Sequence, residues 1–411
     1  MSHALGVAQR CAWLVVVSWG FAACATTPPT PPVETSPKLG AGETVIITER
    51  VPMPPPPPPP KPEISEVVSL GDKLATTAAV SRSGRVFINF PRWFKDNEAA
   101  FSVAELGQDG ALTPFPDAAW NSWKLGANAG KKLVCVQSVF VDAQDRLWVL
   151  DTGAPYWGET VKRGPKLVAV DLQTNKVAQI VRFDAKIAPE NSYLNDVRID
   201  PNGQLAYLTD SNLGRLIVVD LKSGKSRLAL QDHASTKFEQ GVVPVVENVP
   251  LQLSDGGVFK IHVDGIAIAG DDLYYHAWTA RTLYRIKLDL LRDPTKKPEA
   301  LEAGVEKVAE TGVHDGMAAD ADGNLYLTQL EDNAITVLSP DGKQSLLLSD
   351  PRLQWPDSIG VGPDGLYVTV SQLHLLPAFN GGASRRKNPY RVFRIKPGSW
   401  AALSTARQND M

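Results

Sequence analysis

One motif recurs six times along this chain and limits the folds open to it. Its fullest copy is HDGMAADADGNLYLT, His314–Thr328: an acidic residue, a small and apolar run, a Gly-containing turn, then a second run carrying an aromatic. Asp322, Gly323 and Asn324 tolerate positive φ, so the two runs should pair as a β-hairpin. The other copies are TAAVSRSGRVF (Thr77–Phe87), SVFVDAQDRLW (Ser138–Trp148), DVRIDPNGQL (Asp196–Leu205), GIAIAGDDLY (Gly265–Tyr274) and SIGVGPDGLY (Ser358–Tyr367).

Copies are followed by another strand pair, such as Lys166–Asp171 with Val177–Phe183, and Gly214–Asp220 with Ser226–Leu230. Asn333–Leu338 with Gln344–Leu348 repeats the theme. Four strands per unit and six units predict an all-β, six-bladed β-propeller. The last unit supplies only a third strand, Tyr390–Ile395, and Ile64–Leu70 has the pattern of the missing fourth. An N-terminal strand closing the last blade would leave no open blade edge, and the expectation is a monomer. The propeller is placed at 64–398, with 399–411 as a C-terminal tail.

Upstream, Arg10 precedes an apolar run from Cys11 to Ala23, the length of a signal-peptide core and too short to span a bilayer comfortably. It ends in FAAC, which resembles a lipobox with Cys24 as the lipidated residue; ordinary cleavage after Ala25 is the alternative. Residues 1–24 are therefore read as a lipoprotein-like signal, and the chain as exported: periplasmic, at the cell surface on a lipid anchor, or secreted. Residues 25–63, with seven prolines at Pro54–Pro60, form a Pro-rich linker that favours extended polyproline II and buries no core. A formal charge of −3 over 411 residues gives no basic stripe, so nucleic acid is not an expected partner. Outside the leader the one cysteine is Cys135, in the apolar run Leu133–Val136, and is expected to be a buried, inert thiol.

The residue before each inner strand is Thr76, Gln137, Asn195, Asp264, Asp315 and Asp357. In a propeller these positions converge on one mouth of the central channel. Three facing carboxylates raise one another's pKa unless a cation or donor compensates, and His262 and His314 are candidates for that. Asn195, Asp264, Asp315 and Asp357 could form a hard oxygen site of the Ca²⁺ type; alternatively the channel is solvated and its polar groups satisfy strand ends. Asp320, Asp322, Asn324 and Glu331 have EF-hand-like spacing, but Leu325 stands where such a loop needs glycine. Trp93, Tyr156, Trp157, Trp278 and Trp355 fall in linking segments, where they either wall a pocket for a flat ligand or pack between blades.

Four stretches also carry a family likeness: VSRSGRVFINFPRW (Val80–Trp93), RLWVLDTG (Arg146–Gly153), LNDV (Leu194–Val197) and YLTDS (Tyr207–Ser211). They resemble the yellow / major royal jelly protein family. That resemblance implies a secreted six-bladed propeller, among whose insect members are dopachrome-converting, amine-binding and nutritive proteins. Insect relatives use disulfides, whereas this chain has only Cys135 in its propeller. More distantly the repeat resembles gluconolactonase/regucalcin propellers, whose metal ligands match Asn195, Asp264, Asp315 and Asp357, although a ligand set including Glu is not evident.

Three functions follow as expectations. The first is small-molecule binding at the channel mouth, of an aromatic amine or quinone, with tautomerisation by Asp315 or His314 as proton carrier. The second is a metal-dependent lactonase on Asn195, Asp264 and Asp315. The third is a non-catalytic surface scaffold.

Overall fold

The computed structural model describes residues 61–95, 99–253 and 256–397. The leader, Cys24, nearly all of the Pro-rich segment and the C-terminal tail lie outside the described residues. Six four-stranded antiparallel sheets form the blades. Their innermost strands are Ala78–Val80 (blade 1), Val136–Val141 (blade 2), Leu194–Ile199 (blade 3), Val263–Ala269 (blade 4), Met317–Ala319 (blade 5) and Pro356–Gly362 (blade 6). Each touches the next and blade 6 touches blade 1, so the ring closes. Closure is the one expected: Glu63–Gly71 is the outermost strand of blade 6 and pairs antiparallel with Tyr390–Lys396. Glu63 and Lys396 face each other in that register, at the end of the blade away from Asp357.

The repeat's chemistry explains its hairpins. An acid at the end of an inner strand caps the turn and then catches the aromatic on the returning strand. Asp142 accepts from the amides of Gln144 and Arg146 and from Trp148 Nε1 at 2.7 Å. Asp200 does the same for the Asn202 amide and the Tyr207 hydroxyl, and Asp320 for the Asp322 amide and the Tyr326 hydroxyl. Gly323 sits at φ +83, the left-handed region such a turn needs. Asp320 is thus occupied as a turn cap, and Glu331 pairs with Arg281 at 2.6 Å, so the EF-hand-like spacing is turn chemistry.

The apolar core lies between blades. Trp148, Leu150 and Leu167 of blade 2 pack on Leu194, Val197, Leu208 and Ile217 of blade 3, and comparable clusters fill the other junctions. Cys135 is fully buried, and burial with the nearby Asp151 charge pushes its thiol up to about 12, as an inert thiol requires. Asp151 itself forms a buried ion pair with Lys166 at 2.6 Å and also accepts from the Val134, Cys135 and Gly153 amides. The pair therefore has the extra hydrogen bonds that a buried charge needs. Between blades 3 and 4, a long connection carries the small hairpin Val245–Val246/Val249–Pro250.

Near the axis the blades meet backbone to backbone. A Cβ built on Gly360 would stand 1.9 Å from the Ala78 carbonyl oxygen, and one on Gly265 would stand 2.4 Å from that of Asp315. Blade 6 meets blade 1, and blade 4 meets blade 5, at a distance only glycine allows. Gly360→Ala should cost about 2 kcal/mol or more, because the opposing atom is backbone and cannot rotate away. Urea unfolding checks this: the midpoint should fall at unchanged slope, whereas a wild-type midpoint would mean that blades 6 and 1 do not meet as described.

Candidate functional site

Bulges aim the ring of polar residues. Pairing between the first two strands slips across Val136/Ser138, Leu194/Val197, Val263/Ile266 and Pro356/Ile359, at the positions of Gln137, Asn195, Asp264 and Asp357. A bulge breaks the in-out alternation and turns a side chain that would otherwise point along the sheet face. Threonines on the second strands take up the released amides. Thr209 Oγ1 accepts from the Asp196 amide and donates to the Asp264 carbonyl of the next blade at 2.7 Å. Thr369 likewise accepts from Ser358 and donates to the Thr76 carbonyl at 2.6 Å.

Gln137, Asn195, Asp264, Asp315 and Asp357 then line one cavity of about 250 Å³ at the channel mouth. The sixth ring residue, Thr76, does not line it: its hydroxyl donates to the Gln137 carbonyl and accepts from Asn89 Nδ2. Two aromatic groups complete the lining. In the first, Trp157 stacks on Trp93 (4.5 Å between centroids) and on Tyr193 (5.5 Å), while Trp93 Nε1 donates to the Tyr193 hydroxyl, which donates to Gln137 Oε1. In the second, Trp278 stacks on Trp355 at 5.2 Å, with Phe259 and Phe379 beside them. Trp157 and Trp355 both hold left-handed backbone, φ 56 and φ 58, a conformation costing about 1–3 kcal/mol each that the surrounding packing must enforce.

The acids are buried, and none of them forms a salt bridge among the described residues. Asp264 and Asp357 are pushed well above the carboxylate range, first by burial and then by the Asp315 charge. Asp315 rises from an ordinary 3.8 to about 7, with burial the main cause and its bond from Trp355 Nε1 (2.9 Å) working against it. The histidines supply no compensation. His314 lies in the core, stacked on His276 at 3.5 Å with Nε2 on Thr311 Oγ1; burial holds it well below its usual pKa, and it is not among the cavity's lining residues. His262 Nδ1 accepts the Phe238 amide, and burial lowers this ring too. Tyr156 is also outside the lining: its amide donates to the Arg92 carbonyl and Lys95 stands over its ring. Lys260, in the lining, has its ammonium over the Phe238 ring.

This arrangement shows no assembled Ca²⁺ site. Among the described residues no three or more His, Cys, Asp or Glu side chains are placed to hold a metal ion. Asn195 turns its amide nitrogen, not its oxygen, toward Asp264 at 2.7 Å, and Asp315 is held by an indole. A hard cation needs several oxygens converging on one point, and here Asp264 Oδ2 and Asp315 Oδ2 each already accept from a neighbouring donor.

The whole ring column was visible in the repeat. Tyr193, Phe259 and Phe379 were missed. Tyr193 was within reach, since it directly precedes the LNDV stretch; Phe259 and Phe379 lie in connections that share no periodicity with the blades.

A sequence profile described as "Major royal jelly protein" matches residues 134–375, more than half of the chain. The chain belongs to this family. Among its curated relatives, protein yellow of Drosophila madeirensis is 24% identical over 319 residues, covering 72% of this chain and 52% of that protein. Major royal jelly protein 6 of Apis mellifera is 25% identical over 218 residues, covering 49% and 45%. The chain thus spans about half the length of the curated relatives it matches. Among solved structures, a luciferin-regenerating enzyme covers 82% of this chain and 95% of its own at a TM-score of 0.50 and 14% identity. A putative gluconolactonase has the same score and identity, with 82% and 92% covered. At these identities the likeness is one of fold.

The raised acids set a pH dependence. Asp315 is protonated more readily folded than unfolded, so its contribution to stability is present below 3.8 and lost as pH rises through about 7. Asp315→Asn keeps an oxygen for Trp355 and removes the charge. The variant should be more stable than wild type above pH 7, with the gap closing toward pH 4, in thermal melts run across that range; equal melting at every pH would mean the carboxyl is not buried uncompensated.

Proposed function

We propose that the channel mouth binds a flat organic amine and that its carboxyl groups can move a proton on it. One observation carries this reading: three buried carboxyl groups, none ion-paired with a Lys or Arg among the described residues, line a cavity walled by aromatic rings. A protonated amine would supply the missing charge, and indole faces attract a cation and stack on a flat ring. Asp315, raised to about 7, can exchange a proton near neutral pH, and beside it stand Asp264 and Asp357, both raised by burial and by the Asp315 charge, so a base and an acid can act side by side. A tautomerisation of the dopachrome type needs that pairing: the base removes a proton from ligand carbon and an acid returns one elsewhere on the same molecule, with no net change.

Calorimetric titration with dopamine and tryptamine tests binding, with neutral hydroxyl analogues as controls. The amines should bind at least about tenfold more tightly than the analogues, and Asp264→Asn or Asp357→Asn should remove that preference. Equal binding of amine and analogue would overturn the amine reading. Absorbance decay of dopachrome tests the chemistry, and Asp315→Asn should slow it by about a hundredfold or more. Amine binding with no dopachrome turnover would leave a binding protein. Neither one would favour a surface scaffold.

Export and a lipid anchor at Cys24 belong to the same proposal, on the strength of the apolar run and the FAAC sequence. The first strand, Glu63–Gly71, begins on the propeller face opposite the cavity, so a tether would join the propeller away from the site. In a bacterial host, Cys24→Ser should move the protein from the membrane fraction to the soluble exported fraction and abolish labelling by a fatty-acid probe; unchanged fractionation would rule the anchor out.

A further inference from the structure

The channel has a second mouth with a different chemistry. The far ends of the inner strands enclose a cavity of about 220 Å³, walled largely by Val, Ile and Ala side chains, among them Ile199, Ile268, Ala319 and Val361. It is distinct from the aromatic cavity. Between the two, the channel narrows to a space of about 10 Å³ lined by Gly265, Gly316 and Asp196, no more than a single water needs.

Thr77, Ser358 and backbone groups line this apolar cavity as well, and it holds one charged side chain. Arg198 is more than nine-tenths buried, with its guanidinium over the Phe140 ring at 5.2 Å. It reaches across the channel from blade 3 to blade 5. Nη1 donates to Asp196 Oδ1 and to the Val197 carbonyl, and Nη2 donates to the Met317 carbonyl, all at 2.7 Å. A guanidinium carries five N–H donors, and these contacts, the ones it makes among the described residues, use three. Asp196, its counter-charge, is shared: the same Oδ1 also accepts from the Ser138 hydroxyl and the Val197 amide. The buried guanidinium therefore keeps donor capacity for a charge-assisted hydrogen bond, which is stronger than a neutral one.

We propose that this far mouth is a second ligand site, for a small monocarboxylate with an unbranched aliphatic body. The carboxylate would take the two remaining N–H groups of Arg198, and the alkyl chain would lie against the Val, Ile and Ala wall. An alkyl amine does not suit the site, because its charge would face a guanidinium. A dicarboxylate would bury a second charge without a partner. The site shares no lining residue with the aromatic cavity, so its occupancy is independent of the amine reading.

The test titrates the full chain with octanoate, hexanoate and the neutral octanamide, followed by calorimetry. Octanoate should bind saturably and at least about tenfold more tightly than octanamide, the share of a charge-assisted contact. Hexanoate should bind roughly fifteenfold more weakly than octanoate, since each of the two buried methylenes contributes about a factor of four. Ala319→Phe fills the cavity while leaving the Arg198–Asp196 pair in place, and should abolish octanoate binding; Arg198→Met should erase the preference for carboxylate over amide. Octanoate and octanamide binding equally to the wild-type protein, or no saturable binding of octanoate, would overturn the proposal without recourse to any variant. Undiminished binding in a folded Ala319→Phe protein would do the same.

Discussion

The molecule depends on the contact of each innermost strand with the next. All six junctions have one, and they differ chemically. Thr76 Oγ1 donates to the Gln137 carbonyl between blades 1 and 2, and the Ser138 hydroxyl donates to Asp196 between blades 2 and 3. Thr209 ties blade 3 to blade 4, bare backbone contact at Gly265 joins 4 to 5, the Gly316 amide donates to the Asp357 carbonyl between 5 and 6, and Thr369 closes 6 to 1. Several acceptors are the backbone carbonyls of the ring residues themselves. Fixing those carbonyls fixes where their side chains leave the backbone, so the contacts that close the ring also build its mouth. The apolar clusters between blades make the ring stable; the axial contacts make it narrow.

A narrow ring has an electrostatic consequence. Three aspartates that would be ordinary surface acids on an open sheet are brought together and dried by tryptophans, and their protons become hard to remove. The protein elsewhere pairs its buried acids with care, as at Asp151 with Lys166 and Asp210 with Arg215. Asp264 and Asp357 depart from that practice. Left-handed backbone at Trp157 and Trp355 adds conformational strain in the same place. Unfavourable charge and backbone strain are thus concentrated in one cavity.

Much of this was legible in the sequence, for a physical reason. Hairpins are local: alternation, a turn glycine and a capping acid lie within about a dozen residues of one another, so the six copies and the strand that closes blade 6 could be read directly. Because the copies align, so do the residues before them, and Gln137, Asn195, Asp264, Asp315 and Asp357 meet as the alignment implies. Tryptophans 93, 157, 278 and 355 line the cavity as well. Proximity to the ring in sequence misled in the case of His314: it lies one residue before a channel aspartate in the segment leading into Met317–Ala319, yet it is fully buried and stacks on His276.

The sequence by itself determined the repeat, its hairpin turns, the way the ring closes and which polar residues would share one mouth, because each is encoded by near neighbours or by the period. Tertiary structure alone decided what those residues are. Whether four oxygen-bearing side chains form a cation site or a desolvated acid cluster turns on how closely their oxygens converge and on which atom of Asn195 faces Asp264. Whether an arginine is a strand-end charge or the head of an apolar cavity turns on Arg198 crossing the channel to Met317. Those facts depend on residues 69 and 119 positions apart, and no local pattern carries them.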